Sequence, residues 1–472
     1  MKPILKNSIF MALFNIFGRA SGFIRYALLV AFLSESHFGI ITYAFYIGRL
    51  GRTFIDGGLD NLISRDGARN YDAIPSYHLH GLLLKSILAA IFFLAVFVYL
   101  FQVRGLPLFE MGVVYAALCG SALLSFTGVT RSCFTAIERM EYIFYTNLPA
   151  RFLSIVFLFF ALWYSLPLAF AAAAVSIENL LWFFLLGYCS LRYFSLIGAR
   201  ISWPTVRYML SESWSLAAYG FFNVFYLSLD VMMIEYLMGG REAVAPYTYA
   251  SQLLEGVTML ITGYLIAIYP VLSRYYNSDE AAYQKLFHQS VIVLLSCTIP
   301  LTFLLGLWSY EWMNLIKETG AISSHVLRIL AVNLNFSLFN TLLIAVFTTR
   351  NRQRWLVLFT AFAVLISFLS NWILIPLFGQ PGGAYATLFS QFILLVMMTG
   401  VAKHLFTLSF PMKKPIQIFF VSLLCGVGLA WIPRIPPLLI PLLYLGLFMS
   451  LIRLFGIFTK EELHKIRRAF QR

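Results

Sequence analysis

The sequence has very little charge for its length, and this scarcity excludes most soluble architectures. Only 11% of its 472 residues are Asp, Glu, Lys or Arg, whereas 60% are apolar. A soluble chain usually has about 25% charged residues, because it must cover its surface with polar groups. The composition therefore predicts an integral membrane protein rather than several soluble domains.

Cysteine pairs and phosphate-binding motifs are also missing. The five cysteines lie in apolar stretches without Cys-x-x-Cys spacing, which argues against a disulfide framework and against a zinc site. No Gly-x-x-x-x-Gly-Lys-Ser/Thr motif is present, so we expect no ATP hydrolysis by a phosphate-binding loop. The net charge of +14 comes from basic residues scattered between apolar runs, which does not favour nucleic-acid binding. We expect no cofactor and no metal.

Long apolar runs, alternating with short basic loops, fill the whole chain. A membrane-spanning helix needs about 20 apolar residues, and the sequence offers about fourteen such segments. The predicted spans are 8–33, 38–63, 80–103, 109–130, 145–164, 166–190, 212–238, 247–272, 287–309, 325–348, 355–377, 383–402, 415–433 and 437–456. The sequence therefore predicts an all-α polytopic membrane protein, with a turn at 379–383 between the eleventh and twelfth spans.

The positions of the basic residues predict the orientation. With the N-terminus in the cytoplasm, most of the 34 Lys and Arg residues are counted in inner loops or tails, among them Lys85, Arg131 and Arg151. Few are counted in outer loops, as the positive-inside rule requires. Both termini are therefore expected in the cytoplasm, and the basic segment 460–472 is expected to lie on the inner leaflet as an amphipathic helix.

Short motifs of the first two spans recur in the seventh and eighth spans. The matching pairs are Phe14–Phe17 with Phe222–Phe225, Thr42–Ala44 with Thr248–Ala250, and Ser64-Arg65 with Ser273-Arg274. Because an even number of spans separates the copies, both run in the same direction, as in the parallel repeats of transporters. The repeat predicts a six-helix lobe over 1–208, a second over 209–408, and an extra helix pair with the cytoplasmic tail over 409–472.

Ionisable residues of the second span form a stripe on one helix face. Successive residues of an α-helix are about 100° apart around its axis. This spacing places four residues within an arc of about 80°: Arg49, Arg52, Asp56 and Asp60. Ionisable residues at membrane depth usually face an aqueous cavity or a partner. Two interpretations are open: the stripe neutralises itself, with Arg52 and Asp56 as an i,i+4 pair, or it lines a substrate cavity.

The first span adds two more arginines, Arg19 and Arg25, so that basic residues outnumber acidic ones in the first two spans. Guanidinium groups bind phosphate oxygens bidentately and stay charged, so the surplus predicts a site for a phosphate or pyrophosphate. The alternative is that these arginines pair with Glu178 or with carboxylates of the second half. In that half, Asp230, Glu235 and Glu255 are candidates for binding a cation or carrying a proton.

Several motifs carry a resemblance to a known family. They are Arg19–Arg25, Phe38–Ala44, Asp56–Leu59, Ser64–Arg69, Tyr269–Arg274, Asn371–Gly379 and Gly382–Thr387. The chain resembles the multidrug/oligosaccharidyl-lipid/polysaccharide (MOP) exporter superfamily, in particular its Wzx-type polysaccharide flippases and the related lipid II flippases. The resemblance implies a V-shaped pair of six-helix lobes around a central cavity, working by alternating access.

The cargo implied by the resemblance is an undecaprenyl-pyrophosphate-linked oligosaccharide, such as an O-antigen, capsule or exopolysaccharide repeat unit. It would move from the cytoplasmic to the periplasmic leaflet of the bacterial inner membrane, with polysaccharide polymerase machinery as a further partner. Lipid II flippases hold the pyrophosphate at positions that the arginines of the first two spans match. The last two spans are implied to form a groove for the lipid tail.

Coupling to a proton or sodium gradient is also implied. Some relatives bind sodium through residues that Asp230, Asn371 and Thr387 match, although Ile375 stands where a second aspartate is expected. The predicted ion site is therefore formed by Asp230, Asn371 and Thr387. The predicted substrate cavity contains Arg19, Arg25, Arg49, Arg52, Asp56, Asp60 and Glu255.

Three other functions are weighed against this one. A lipid II flippase of peptidoglycan synthesis would share the same arginines. A multidrug exporter of the same superfamily would need an acidic or aromatic cavity for cationic drugs, which the arginines of the first two spans oppose. A membrane-embedded glycan polymerase or ligase usually needs a sizeable outer loop, and the outer loops here are short. We therefore expect a secondary transporter and not an enzyme.

Overall fold

The computed structural model describes residues 2–103, 105–194, 200–276, 279–317, 320–350, 352–406, 408, 411, 413–431 and 436–455. Nearly all of these residues are helical, and none of them forms a strand. The prediction of an all-α protein is therefore confirmed. The amphipathic tail helix predicted at 460–472 lies outside the described residues.

Residues Met1–Ala245 form one compact unit, here called unit 1. Its helices are α1 (Lys2–Phe32), α2 (Glu35–Asp56), α3 (Leu59–Arg69), α4 (Ile74–Val98), α5 (Leu108–Ala136), α6 (Met140–Trp163), α7 (Leu168–Ser190) and α8 (Trp203–Met238). Helix α5 packs against α2, α3 and α7, while α1 packs against α6 and α8 packs against α2 and α3. Buried side chains around Ile63, Val129 and Trp182 form the apolar core at this centre.

Residues Pro246–Arg472 form the second compact unit, here called unit 2. Its helices are α9 (Val244–Tyr276), α10 (Glu280–Leu307), α11 (Ser309–Ile316), α12 (Gly320–Thr349), α13 (Gln353–Phe378), α14 (Gln380–Phe406), α15 (Lys413–Ala430) and α16 (Ile440–Leu454). Helix α14 packs against α12 and α13, and α10 packs against α12 and α15. The lobe boundaries after 208 and 408 refer to the sequence repeat and stay a prediction.

Arg350, at the end of α12, contacts side chains of three other helices of unit 2. The Arg350 guanidinium lies 4.4 Å from the ring centre of Tyr283, 4.8 Å from that of Phe406 and 5.3 Å from that of Tyr276. One of its nitrogens is also 2.6 Å from a carboxylate oxygen of Glu280. A cation between aromatic faces gains about 0.5–2 kcal/mol per contact. Arg350 therefore fixes the end of α12 against α9, α10 and α14.

Ten helical segments of the described residues are long and apolar enough to cross a membrane. The chain is therefore a multi-pass membrane protein, as its composition predicts. Helix α16 is apolar but has only 15 residues. The full count of fourteen spans stays a prediction.

The turn predicted at 379–383 is shorter in the structure. Only Gly379 separates α13 from α14, and it has a positive φ of 67°. Pro381 lies in the first turn of α14, where its missing N–H would have no helical partner in any case. The helix therefore resumes at Gln380 instead of after Gly383.

The predicted second span 38–63 is not one continuous helix. Helix α2 ends at Asp56, and α3 begins at Leu59 after two glycines whose φ angles are 53° at Gly57 and 72° at Gly58. Only glycine adopts this left-handed conformation without steric cost. A Cβ atom on Gly58 would also lie 2.8 Å from the Ser213 carbonyl oxygen and 3.0 Å from the Ala217 amide nitrogen. The backbone of α8 therefore packs closely against the break.

Replacing Gly58 tests the importance of the break. Gly58→Ala should lower the melting temperature of the purified protein, because the left-handed backbone costs about 1–2 kcal/mol and the new methyl group meets backbone atoms of α8. Gly112→Ala is the control, since a Cβ there has nothing within 4 Å. Equal melting temperatures for the two variants would contradict the proposed close approach.

Candidate functional site

A fully buried lysine joins the helices on either side of the break. The side chain of Lys85 in α4 is 0% exposed, and its Nζ lies 2.9 Å from Asp56 Oδ1 and 2.7 Å from Asp60 Oδ1. Nζ also donates to the carbonyl oxygen of Ser125 in α5 at 2.7 Å. Because an ammonium group has three N–H donors, these three contacts saturate Lys85.

A second basic residue completes this charge cluster. Arg131 of α5 places Nη2 3.1 Å from Asp60 Oδ2, on the side of the carboxylate opposite to Lys85. We call Asp56, Asp60, Lys85 and Arg131 the break cluster. Its two cations and two anions balance, and losing one member of such a buried set typically costs about 3–5 kcal/mol. The cluster thereby fixes α2 and α3 against α4 and α5.

Arg49 and Arg52 stand beside this cluster without joining it. Neither forms an ion pair with a carboxylate among the residues that the structure describes. Arg52 is exposed and Arg49 is half-buried. The i,i+4 pair predicted between Arg52 and Asp56 is not formed, because Lys85 holds that carboxylate. The stripe therefore does not neutralise itself within its own helix, and its two guanidinium groups have no carboxylate partner among the described residues.

The arginines of α1 differ from those of α2. Arg25 forms an ion pair with the buried carboxylate of Glu178 in α7, which also accepts a hydrogen bond from Arg151 Nε at 3.2 Å. The Arg151 guanidinium lies 4.9 Å from the ring centre of Phe14. Pairing with Glu178, one of the two open interpretations, is thus what the structure shows for Arg25. Arg19 is exposed.

Three basic residues of these clusters lie inside helices and not in inner loops. Lys85, Arg131 and Arg151 belong to α4, α5 and α6, so counting them as loop residues is wrong, and for Lys85 and Arg151 it also disagrees with the predicted spans 80–103 and 145–164. Each is paired with a carboxylate, which allows a basic side chain to be buried. In the sequence, Lys85 and Arg151 are lone charges within apolar runs, which indicates that they lie inside helices. Only the contacts between helices identify their partners.

The residues that follow the break connect α3 to α8. Asp66 accepts hydrogen bonds from Arg65 Nε at 2.8 Å and from the Tyr208 hydroxyl at 2.9 Å. Burial acts to raise the pKa of the Asp66 carboxyl, but the hydrogen bonds from Arg65 and Tyr208 outweigh it and lower this pKa below its ordinary value. The Asp66 carboxylate therefore stabilises the fold in its charged form.

The predicted ion-site residues are divided between the two units. Asp230 of α8 is buried in unit 1. In unit 2, Asn371 Nδ2 and Thr387 Oγ1 each donate to a carbonyl oxygen four residues earlier in their own helices, at 2.9 Å and 3.0 Å. Glu255 of α9 is exposed. No trio of His, Cys, Asp or Glu in the described ranges is placed to hold a metal ion, and the ion site stays a prediction.

Unit 2 contains an apolar cavity of about 650 Å³ between α12, α13 and α14. Five aromatic rings line it, from Phe336, Phe378, Tyr385, Phe389 and Phe392. The remaining lining residues are three aliphatic side chains and one serine, so no carboxylate faces the cavity. Such a lining suits a hydrocarbon group and offers no counter-charge to a cation.

Solved structures with the same fold are membrane transporters. The lipid II flippase MurJ in its inward closed conformation matches with a TM-score of 0.69 and 14% identity, over 95% of this chain and 98% of that chain. An inward-facing multidrug resistance MATE family transporter matches with a TM-score of 0.65 and 15% identity, over 87% and 95%. A MOP superfamily transporter from Pyrococcus furiosus, described by the reverse polarity of its binding pocket, matches with a TM-score of 0.62 and 16% identity, over 85% and 95%.

These likenesses show that the chain has the fold of the MOP superfamily transporters. Two family models match the sequence: the polysaccharide biosynthesis protein model over residues 4–276, which is more than half of the chain, and the MatE model over residues 216–373. No curated protein matches the chain by sequence. Within the MOP superfamily, the chain belongs to the polysaccharide biosynthesis protein family.

The buried position of Glu178 generates a stability prediction. Glu178→Gln should lower the free energy of unfolding by about 3 kcal/mol, because Arg25 and Arg151 lose their shared counter-charge in a buried site. Chemical denaturation of the purified protein in detergent measures the change. Glu212→Gln removes an exposed partner of Arg65, with 45% of the Glu212 side chain accessible, and should cost less than about 1 kcal/mol. Similar losses in both variants would contradict the importance of burial.

The hydrogen bonds of Asp66 generate a pH prediction. Because the pKa of the folded protein is lowered, the contribution of Asp66 to stability is present above the unfolded pKa of about 3.9 and is lost as pH falls through the folded pKa. Asp66→Asn should therefore reduce stability at neutral pH and flatten its decline in acid, measured as melting temperature against pH. Asp72→Asn, at an exposed carboxylate, is the control. If the melting temperature of Asp66→Asn falls in acid as steeply as that of the parent, the stabilising role of the Asp66 carboxylate is refuted.

Proposed function

We propose that the chain is a flippase that moves an undecaprenyl-pyrophosphate-linked oligosaccharide from the cytoplasmic to the periplasmic leaflet of the bacterial inner membrane. The observation that carries this proposal is the pair Arg49 and Arg52, which have no carboxylate partner among the described residues and lie beside a balanced cluster. Both lie near the middle of the predicted second span. A charged side chain at that depth requires water or an anionic partner, and guanidinium groups match the oxygens of a pyrophosphate.

The rest of the proposal follows from this site. Transport would proceed by alternating access, with both termini in the cytoplasm and a proton or sodium gradient as the driving force. Asp230, Asn371 and Thr387 are the proposed coupling residues. The oligosaccharide would be an O-antigen, capsule or exopolysaccharide unit, and polysaccharide polymerase machinery would receive the product. The family to which the chain belongs supports this choice of cargo over lipid II.

A multidrug exporter is the second candidate, and the aromatic cavity of unit 2 is the observation that favours it. Aromatic rings bind flat hydrophobic compounds, but a cationic drug also needs a counter-charge, which the lining lacks. The aromatic rings of the cavity therefore favour drug export, whereas its missing counter-charge weighs against the export of cationic drugs. Export of ethidium by the reconstituted protein, without flipping of a pyrophosphate lipid, would decide for this candidate.

The proposed function predicts the effect of removing the two arginines. In proteoliposomes, Arg49→Ala and Arg52→Ala should each slow the flipping of a fluorescent undecaprenyl-pyrophosphate oligosaccharide by about 10- to 100-fold, because each removes a charge-assisted hydrogen bond worth about 1.5–3 kcal/mol. Quenching of the outer leaflet with a membrane-impermeant reductant measures the rate.

The matched control is Arg354→Ala, which removes an exposed arginine at the start of α13. Its flipping rate should equal that of the parent. Flipping that survives in the Arg49→Ala/Arg52→Ala double variant would overturn the pyrophosphate role. Lipid II offered to the same proteoliposomes distinguishes the two lipid cargos.

A further inference from the structure

Among the described residues of unit 1, Lys85 is the most deeply buried charged side chain. The proposed transport cycle gives it no role. Its side chain is 0% exposed, and its three N–H groups are taken by Asp56, Asp60 and the Ser125 carbonyl oxygen. Lys85 therefore has neither a free donor nor a path to a ligand. Any influence on the substrate must act through the groups that it holds.

The two carboxylates that Lys85 binds, Asp56 and Asp60, are also the acidic residues closest in sequence to Arg52. Arg52 and Asp56 are four residues apart on α2, a spacing at which an arginine and an aspartate on one helix face pair readily. In the structure Asp56 pairs with Lys85 instead, at 2.9 Å, and Asp60 is shared between Lys85 and Arg131. Arg52 forms no ion pair with either carboxylate among the described residues, and both carboxylates are held by the competing cations Lys85 and Arg131.

The helix break makes this arrangement possible. Asp56 is the last residue of α2 and Asp60 lies in the first turn of α3, with Gly57 and Gly58 between them in the left-handed conformation. The bend brings both carboxylates to one ammonium group on α4. Arg49 and Arg52, which precede the break, remain outside the break cluster.

We infer that Lys85 is a positioning residue: by binding Asp56 and Asp60, it prevents them from neutralising Arg52 and so keeps Arg49 and Arg52 available for an anionic phosphate headgroup. This inference rests on the proposed function, because it concerns the same headgroup site. Lys85 itself does not touch the substrate. It controls whether the guanidinium groups of Arg49 and Arg52 are free to bind the headgroup.

The inference predicts a loss and a specific rescue. Lys85→Met frees Asp56 to pair with Arg52, so the affinity of the purified protein for undecaprenyl pyrophosphate in detergent should fall about tenfold or more. The double variant Lys85→Met/Asp56→Asn removes the freed carboxylate and should recover most of that affinity. Binding is measured on folded protein isolated by size exclusion, with the change in tryptophan fluorescence as the readout.

Lys285→Met removes an exposed lysine of α10 and is the matched control, with the affinity of the parent. Should Lys85→Met give no folded protein, Lys85→Gln replaces it, since glutamine keeps a hydrogen-bond donor but lacks the charge. A purely structural role predicts that folded Lys85→Met or Lys85→Gln binds like the parent, and this result overturns the inference.

Two other outcomes are also decisive. A double variant that folds but stays as weak as Lys85→Met would mean that Asp56 does not compete for Arg52, which overturns the inference while the proposed function stands. A parent protein that does not bind undecaprenyl pyrophosphate overturns the proposed function, and the inference falls with it.

Discussion

The buried ammonium of Lys85 is the interaction on which the arrangement of unit 1 depends. A charge with no exposed surface is tolerated only where opposite charges and hydrogen-bond acceptors surround it. Here the acceptors come from α2, α3 and α5, so that one side chain of α4 holds three other helices. The glycine break between α2 and α3 is the backbone feature that allows both carboxylates to reach it.

The two charge clusters of unit 1 follow opposite patterns. In the break cluster a buried cation holds two carboxylates, and the arginines of α2 stay unpaired among the described residues. Around Glu178 a buried anion holds two arginines, Arg25 of α1 and Arg151 of α6. Arginine therefore has a structural role in α1, at Arg25, whereas in α2 Arg49 and Arg52 remain available for a ligand. This contrast concentrates the proposed headgroup site on α2.

Unit 2 buries its polar groups by other means. Asn340 donates to the side chain of Gln391 at 2.7 Å, and Asn335 donates to Thr302 at 2.7 Å, so neutral amides connect α10, α12 and α14. Its buried guanidinium, Arg350, is placed among aromatic rings beside a carboxylate. Neutral amides and aromatic rings carry no strong field. Arg49 and Arg52, the arginines proposed to bind the anionic lipid headgroup, belong to unit 1.

The sequence alone determined the membrane class, the all-helical fold and the superfamily, because apolar run length and local motifs are properties of neighbouring residues. It also identified the charged stripe of Arg49, Arg52, Asp56 and Asp60, since helical periodicity places them on one face. It could not decide which of these charges are neutralised. That depends on Lys85, Arg131 and Glu178, which lie far away in the chain and meet the stripe or the arginines of α1 only when the helices pack. The partners of a buried charge are set by tertiary contacts, and local spacing favoured an Arg52–Asp56 pair that packing replaced.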